Sequence, residues 1–212
     1  MPESSTEYEA EHLYIPDRRA CLKSYYIQAW LPNALFEQQV RRVQRDILIT
    51  SQLGDHPNIV QVYDAFPDPD DASVLHTFQE WVRGIRLAEV IHWEPGTVTP
   101  RQAAEWLRQA VRALAYAHRH SVLHRNLSPR CLIIRKDSLL KVRDFDYARV
   151  EGQATVYQGQ PLGDPRYVAP EQWQFPRDTD YRSDLFSLGV IFRELLLGEH
   201  PYGDISCLLR TK

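Results

Sequence analysis

The side chains of this chain that could take part in proton transfer or metal binding are concentrated between positions 124 and 146. The segment His124-Arg125-Asn126-Leu127-Ser128-Pro129-Arg130-Cys131 carries an amide, a hydroxyl and a thiol, and two carboxylates follow at Asp144 and Asp146. The Asn126 amide cannot take a proton near neutral pH, although it could orient a hydroxyl group. The Cys131 thiol is a soft ligand that suits Mg²⁺ badly. The segment therefore offers no general base at Asn126 and no hard metal ligand at Cys131.

Six short motifs, taken in order, resemble those of the protein kinase family. The segment 124–131 has the layout of the catalytic loop His-Arg-Asp-Leu-Lys-Pro-x-Asn, and Asp144-Phe145-Asp146 is similar to Asp-Phe-Gly. The other four matches are Ala20-Cys21-Leu22-Lys23, His56-Pro57-Asn58-Ile59-Val60, the run Gly-Asp-Pro-Arg-Tyr-Val-Ala-Pro-Glu at 163–171, and Ser183-Asp184-Leu185-Phe186-Ser187-Leu188-Gly189-Val190. The residue sequences of these motifs resemble those of bacterial Ser/Thr kinases. The resemblance implies an α+β, two-lobed fold with a small β-rich N-lobe and a helical C-lobe.

By this resemblance, the catalytic positions carry unusual residues. Asn126 stands where the family has the Asp that accepts the proton of the substrate hydroxyl, and Ser128 stands where it has a phosphate-contacting Lys. Cys131 replaces an Mg²⁺-binding Asn, whereas Asp144 matches the Asp that holds Mg²⁺. Asp146, in place of Gly, could supplement the metal site or repel phosphate. The catalytic and metal sites are therefore expected to be degenerate.

The nucleotide-binding positions implied by the resemblance are better preserved. Lys23 matches the lysine of the third strand. Asp46 lies where helix C of the family has the Glu that pairs with this lysine, and the Asp side chain is one methylene shorter. Glu80 and Val82 fall in the hinge whose backbone usually holds adenine, and Ile133 is a further nucleotide-contacting position. The implied cofactors are ATP and Mg²⁺ with weakened binding, and no other cofactor is expected.

Five further residues resemble structural positions of the family. His124 and Phe145 are similar to two members of the apolar column that joins the lobes, and Asp184 to the acceptor of hydrogen bonds from the catalytic-loop backbone. Arg125 is retained beside the catalytic position. Glu171 closes the Ala-Pro-Glu motif and is expected to lack the Arg that a later part of the family fold supplies.

Asp164 has two interpretations, because the family usually has Thr at this position, close to the catalytic Asp. Its carboxylate could enter the catalytic site and bond to the Asn126 amide, or it could cap the turn before Pro165. The turn is the simpler interpretation.

Composition places the chain among ordinary soluble globular proteins. It has 212 residues, 43% of them hydrophobic and 25% charged, with a formal net charge of −3. This charge gives no reason to expect a nucleic acid or a membrane as partner, and no apolar run reaches the roughly 18 residues of a membrane span. With no signal-peptide core at the N-terminus, the expected compartment is the cytoplasm. Three widely spaced cysteines argue against a disulfide framework.

The predicted domain covers 1–212, with an N-lobe at about 1–79, a hinge at about 80–84 and an incomplete C-lobe at about 85–212. The first twenty residues contain no glycine, so the Gly-rich loop and first strand are expected to be missing, with the phosphate loop falling on positions 2–6. The last helices of the C-lobe are also expected to be missing.

Periodicity predicts the principal elements. Strands are expected at 20–27, 60–63 and 74–78. Asn33 is expected to cap a helix with an apolar face, and Thr99-Pro100-Arg101-Gln102 is typical of a capping box. That second helix is expected to bury Val111 with its neighbours at helical spacing, and 185–197, apolar nearly all round, is expected to be a buried helix.

These observations favour a pseudokinase, a regulatory or binding module with impaired or no phosphoryl transfer. The alternatives are a weakly active ATP-dependent Ser/Thr protein kinase and a non-functional fragment of a longer kinase. The partner is expected to be a protein, either bound or as a substrate. The sequence gives no basis for predicting an oligomeric state.

Overall fold

The computed structural model describes residues 4–27, 32–93, 97–145, 149–150, 164–174 and 179–203. Its first part is an antiparallel sheet that packs against one long helix. The strands are β1 (Ser4–Glu11), β2 (Arg19–Tyr26), β3 (Val62–Pro67) and β4 (Val74–Glu80), in the spatial order β1-β2-β4-β3. The helix, α1 (Asn33–Gln52), connects β2 to β3 along the chain.

The apolar face predicted for α1 is confirmed. Phe36, Val40, Val43 and Ile47 pack with apolar residues of the sheet region, namely Tyr25, Ile27 and Leu75. The start of the helix differs from the prediction, because Pro32 is the capping residue and Asn33 is the first helical residue. The carbonyl of Pro32 accepts the first helical hydrogen bond, from the N–H of Phe36 at 3.0 Å.

Two strand boundaries were predicted wrongly. A phosphate loop was expected at positions 2–6. From Ser4 onward the chain forms a strand instead, because the first three residues of β1 pair with the end of β2, namely Ser4 with Tyr26, Ser5 with Tyr25 and Thr6 with Ser24. Residues 2 and 3 lie outside the described residues. The strand expected at 60–63 begins only at Val62, because the backbone of Val60 bonds instead to Val142, with its N–H 2.8 Å from that carbonyl.

The second part of the chain is mainly helical. It contains α2 (Leu87–Val90), α3 (Pro100–Arg119), α4 (Pro170–Gln174) and α5 (Tyr181–Leu197), with a 3₁₀ turn at Pro129–Cys131. Strands β5 (Gly84–Arg86), β7 (Leu132–Arg135) and β8 (Leu140–Val142) form a small sheet, and β6 (Val122–Leu123) pairs with β9 (Arg149–Val150). The mixed α+β architecture, a small antiparallel sheet followed by a helical lobe, agrees with the predicted fold class.

The capping box predicted for α3 is confirmed. Thr99 accepts a hydrogen bond from the backbone of Gln102, and the Gln102 side chain accepts one from the backbone of Thr99. The predicted buried face was wrong at Val111, which is 40% exposed. Trp106 lies in the core instead, because the buried face is rotated by about one position around the helix.

Helix α5 buries only part of its surface, contrary to the prediction. Leu188 and Ile191 lie in the main core, whereas Leu185, Leu196 and Leu197 are exposed. The same core reaches into the first part of the chain through Leu53, so the two parts share apolar packing. Among the described residues, no helix is both long enough and apolar enough to cross a membrane.

Candidate functional site

The predicted catalytic loop runs from the end of β6 to the 3₁₀ turn, and a residue of α5 holds its backbone by hydrogen bonds. The Asp184 carboxylate, on the first turn of α5, accepts the backbone N–H groups of His124 at 2.9 Å and Arg125 at 2.8 Å. Arg125 has a φ of 65°, a conformation that non-glycine residues seldom adopt. Because both N–H groups are buried, a fully buried carboxylate is needed to hold this turn. The structural role predicted for Asp184 is confirmed.

His124 and Phe145 are in contact, as the sequence predicts. Both are fully buried, and their ring centroids are 4.6 Å apart. His124 Nε2 donates to the carbonyl of Arg143 at 3.0 Å, and its Nδ1 lies 3.4 Å from the backbone N–H of Asn126. These bonds assign the ring as a neutral imidazole with its proton on Nε2, which links the catalytic loop to the segment before Asp144.

The side chain of Cys131 is buried and contacts the catalytic loop itself. Its thiol donates to the backbone carbonyl of Asn126 at 3.4 Å and lies 3.5 Å from the Ser128 hydroxyl. Burial raises the pKa of Cys131 to about 12, with Asp144 adding to the effect. The raised pKa makes the thiolate, which is the form that ligates a metal ion, unfavourable at this position. Ser128 is buried in the same contact, so neither side chain is directed at a phosphate.

Lys23 and Asp144 meet in the cleft between the two parts of the chain. Lys23 Nζ donates to Asp144 Oδ1 at 2.7 Å, and Arg143 Nε lies 3.1 Å from Asp144 Oδ2. Burial alone would raise the pKa of Asp144, but the two cations outweigh it and hold the pKa below its ordinary value. The carboxylate is therefore ionised at neutral pH, and its charge is already matched by protein cations.

The predicted base end of the nucleotide site forms a cavity of about 350 Å³. Glu80, Val82 and Ile133 all line it, together with Cys21 and Val60. The Glu80 carboxylate accepts from Lys141 Nζ at 2.7 Å, and charged side chains that include Glu7, Arg86 and Arg143 line the same cavity. Lys23 and Asp144 are not among the cavity-lining residues, so the structure brings the base-end and phosphate-end residues into neighbouring positions without one shared cavity.

A cluster of charges in the cleft was missed by the sequence analysis. Glu7, on β1, accepts hydrogen bonds from Arg143 through both carboxylate oxygens and from Arg86 Nη2 at 2.9 Å. Burial opposes the charge of Arg143, but Asp144 and Glu7 outweigh it and raise the pKa of this arginine. The only sequence signal was the alternation of Glu7, Glu9 and Glu11, which places these side chains on one face of a strand.

Asp164 follows the simpler of its two interpretations. Its carboxylate accepts from the backbone and guanidinium of Arg166, at 2.6 Å for the shortest contact, and caps the turn. Burial would raise the pKa of Asp164, but the bonds from Arg166 lower it overall. The proposed bond to the Asn126 amide is wrong for the described structure, because an arginine two residues away reaches the carboxylate first.

The Glu171 carboxylate accepts a hydrogen bond from the Ser183 hydroxyl at 2.5 Å. The expected lack of an arginine partner stays a prediction. Glu171 is only half-buried, which lowers the need for a cation beside it.

Two predicted site residues fall outside the described side chains. Asp46 belongs to α1, but its side chain is outside the described residues, as is all of Asp146. The predicted Lys23–Asp46 pair and the Asp146 metal contact therefore stay predictions. The described residues contain no group of three or more His, Cys, Asp or Glu side chains arranged to hold a metal ion.

Comparison with known proteins identifies the fold family. The sequence model of the family described as "Protein kinase domain" matches residues 31–208. The chain is 34% identical over 155 residues to the serine/threonine-protein kinase PknB of Mycolicibacterium smegmatis, which covers 71% of this chain and 24% of the relative. It is 34% identical over 170 residues to the serine/threonine-protein kinase PrkC of Bacillus subtilis, covering 80% and 25% respectively. The aligned region thus spans about a quarter of each relative, and the chain belongs to the protein kinase family.

Proposed function

We propose that this chain is a binding or regulatory module of the protein kinase family in which phosphoryl transfer is impaired or absent. The observation that carries the proposal is the buried thiol of Cys131, which donates a hydrogen bond to the Asn126 carbonyl at the position where the family has a metal ligand. Phosphoryl transfer in this family depends on metal ions that neutralise the phosphate charge. A neutral thiol supplies neither negative charge nor a hard oxygen.

The residues of the cleft fit the base of a nucleotide better than its phosphates. Cys21, Val60 and Ile133 give the cavity apolar walls beside the hinge backbone, which suits a flat heterocycle. Glu7 adds a carboxylate to the same cavity, which would repel a phosphate, and outside this cavity Asp144 is already bound by Lys23. One described carboxylate and a buried thiol do not make an Mg²⁺ site, so the residues present do not fit an Mg²⁺-bound triphosphate.

A second candidate, a weakly active Ser/Thr protein kinase, is favoured by the Lys23–Asp144 contact. This contact keeps the phosphate-binding lysine and the metal-binding carboxylate of the family within 2.7 Å of each other. Because phosphoryl transfer relies mostly on positioning and electrostatics, the Asn126 amide could support slow transfer by orienting a hydroxyl.

Transfer of radiolabelled phosphate from ATP to the chain itself or to a general protein substrate tests the proposal. We expect the wild type to transfer no more than Lys23→Met, and we expect the double variant Asn126→Asp/Cys131→Asn to transfer more, because it restores a base and an oxygen ligand. Transfer by the wild type that disappears in Lys23→Met and Asp144→Ala would establish the second candidate instead.

Thermal unfolding with ATP, in Mg²⁺ and in EDTA, gives a measurement independent of turnover. A ligand that binds the native state raises the melting temperature. We expect Mg²⁺ to add nothing to the effect of ATP. A rise that occurs only with Mg²⁺ would contradict the proposal, and the absence of a cooperative transition would identify a chain that does not fold alone.

We further propose that the partner is a cytoplasmic protein, bound or acted on by this module. The formal net charge of −3 supports neither nucleic acid nor an anionic membrane as partner. Cell fractionation followed by chemical crosslinking tests both parts. Recovery of the chain with membranes or with nucleic acid would overturn them.

A further inference from the structure

We propose that Arg86 and Arg143 form a binding site for the phosphate group of a small ligand, and that the Glu7 carboxylate occupies this site in the free protein. The ligand then binds by displacing Glu7. This inference names a ligand class for the proposed binding module and rests on that proposal, although its test requires no phosphoryl transfer.

The geometry around Glu7 is that of a bound anion. Arg143 donates to both carboxylate oxygens, with Nη1 at 3.1 Å from Oε2, and Arg86 Nη2 donates to Oε2 at 2.9 Å. Two guanidinium groups directed at one planar anion is the arrangement by which arginines recognise carboxylates and phosphates. The site therefore has the chemistry of a phosphate receptor, with a protein carboxylate as its occupant.

Arg143 is built into the protein as a fixed cation. Its side chain is only 7% exposed, and the neighbouring wall of the 350 Å³ cavity includes Arg86. Its Nε is buried and makes no hydrogen bond within the described residues, although Asp144 Oδ2 lies 3.1 Å away outside hydrogen-bond geometry. A guanidinium fixed in this way keeps its two Nη groups directed at the position of Glu7, and a tetrahedral phosphate offers them more acceptor oxygens than a carboxylate does.

The charge balance favours a more highly charged anion than Glu7. In the part of the chain described, three cations (Lys23, Arg86 and Arg143) face two carboxylates (Glu7 and Asp144) in this region of the cleft. A phosphate monoester carries a charge of about −1.5 to −2 at neutral pH, against −1 for a carboxylate. Exchange of Glu7 for a phosphate would therefore bring the cluster closer to neutrality.

Glu7 also lies on an edge strand, which can move more easily than a central strand. Strand β1 is at the edge of its sheet and pairs with β2 on one side only. The Glu7 side chain is partly exposed, and its two partners come from the other part of the chain, at β5 and just after β8. Moving β1 outward opens the site without breaking the pairing between β2 and β4. The cavity beside the site has room for the rest of the ligand.

Calorimetric titration with inorganic pyrophosphate in EDTA, on the full chain, tests the inference. Glu7→Gln removes the internal anion and keeps the shape, so we expect it to bind pyrophosphate on the order of tenfold more tightly than the wild type. Glu11→Gln is the matched control, because Glu11 lies on the same face of the same strand but is not among the residues that line the cavity. We expect this control to bind pyrophosphate as the wild type does.

Further arms identify the receptor and the ligand chemistry. The double variant Glu7→Gln/Arg86→Gln should lose the gain, and Arg86→Gln alone, whose side chain is 45% exposed and tolerant of change, should bind more weakly than the wild type. Adenosine, which lacks a phosphate, should bind Glu7→Gln and the wild type equally. The inference is overturned if Glu7→Gln and Glu11→Gln bind pyrophosphate equally, or if the gain survives the loss of Arg86. Transfer of phosphate by the wild type would overturn the proposed function and leave these titrations valid.

Discussion

The Lys23 ammonium and the Asp144 carboxylate are in direct contact, with Nζ 2.7 Å from Oδ1, although 121 residues separate them along the chain. Lys23 comes from β2, and Asp144 follows β8, so this pair links the sheet to the helical part. The lysine side chain is 4% exposed and the carboxylate 23%. The buried ammonium of Lys23 depends on this contact, since without Asp144 its charge would lose its carboxylate partner.

The energy of this link can be measured by a double-mutant cycle with Lys23→Met and Asp144→Asn. We expect a coupling of about 2 kcal/mol in the free energy of unfolding, below the 3–5 kcal/mol of a fully buried pair, because Asp144 is partly exposed and Arg143 also lies beside it. Urea unfolding of the four proteins gives the value. Purely additive single variants would mean that the contact contributes nothing in solution.

Asp144 also predicts a pH dependence of stability. Burial alone would raise the pKa of Asp144, but Lys23 and Arg143 hold it below the ordinary 3.8. A lowered pKa in the folded state means that this stabilisation is complete above about pH 4 and is lost as the pH falls further. Between pH 4 and pH 2, the wild type should therefore lose stability more steeply than Asp144→Asn, by up to about 1.4 kcal/mol per pH unit.

Urea unfolding at a series of acidic pH values measures this difference. Asp137→Asn serves as the control, because Asp137 is an exposed carboxylate paired with an exposed Arg135. Its pH dependence should match that of the wild type. Equal slopes for Asp144→Asn and the wild type would show that Asp144 is not held in its charged form by the fold.

Much of this cleft could be predicted from the sequence because the informative residues occur in short local motifs. Lys23, His124, Asp144 and Asp184 are each recognisable from immediate neighbours, and the structure brings them to the expected places. The apolar periodicity of α1 and the capping box of α3 are local in the same sense. Such signals need only a few consecutive residues.

The features that the sequence did not predict depend on contacts between residues that are far apart along the chain or on side-chain conformation. Glu7 reaches Arg143 only because β1 and β2 pair in one register, which places Glu7 opposite Lys23 and over the cleft. A shift of one residue would turn Glu7 to the other face of the sheet. Two interpretations of Asp164 stayed open because rotamers are not visible in a sequence, and in the structure Arg166 is close enough to bind its carboxylate. The exposed face of α5 was missed because its apolar periodicity does not show which face is covered.

Asp184 carries a third prediction, since it supports the whole turn of the catalytic loop. Its carboxylate accepts from the backbones of His124 and Arg125 and also contacts His118 Nε2 at 2.8 Å. Asp184→Asn keeps the shape but replaces one acceptor oxygen with an NH₂ donor, so one buried N–H loses its partner. We expect a loss of about 3 kcal/mol in the free energy of unfolding, measured in urea. The exposed Asp137→Asn should change it by no more than about 0.5 kcal/mol.

A loss below about 1 kcal/mol in Asp184→Asn would contradict this account of the loop, because it would mean that water reaches the N–H groups of His124 and Arg125. Hydrogen exchange of these two amides separates the possibilities directly. In the wild type they should be protected, and in the variant they should exchange faster than in the wild type, whereas amides of β4, in the sheet of the first part, should be unchanged.

The last prediction concerns the thiol of Cys131. A thiol that does not form a thiolate should neither bind a metal ion nor react with an alkylating reagent. Burial raises its pKa to about 12, against 9.0 for a free thiol, and the thiolate is the reactive form. At pH 8 the folded protein should therefore contain about a thousandfold less Cys131 thiolate than the unfolded chain does. Peptide mass spectrometry after iodoacetamide treatment, with and without urea, measures the difference. Rapid labelling of Cys131 in the folded chain would show an accessible thiolate, and the argument against a metal at this position would then fail.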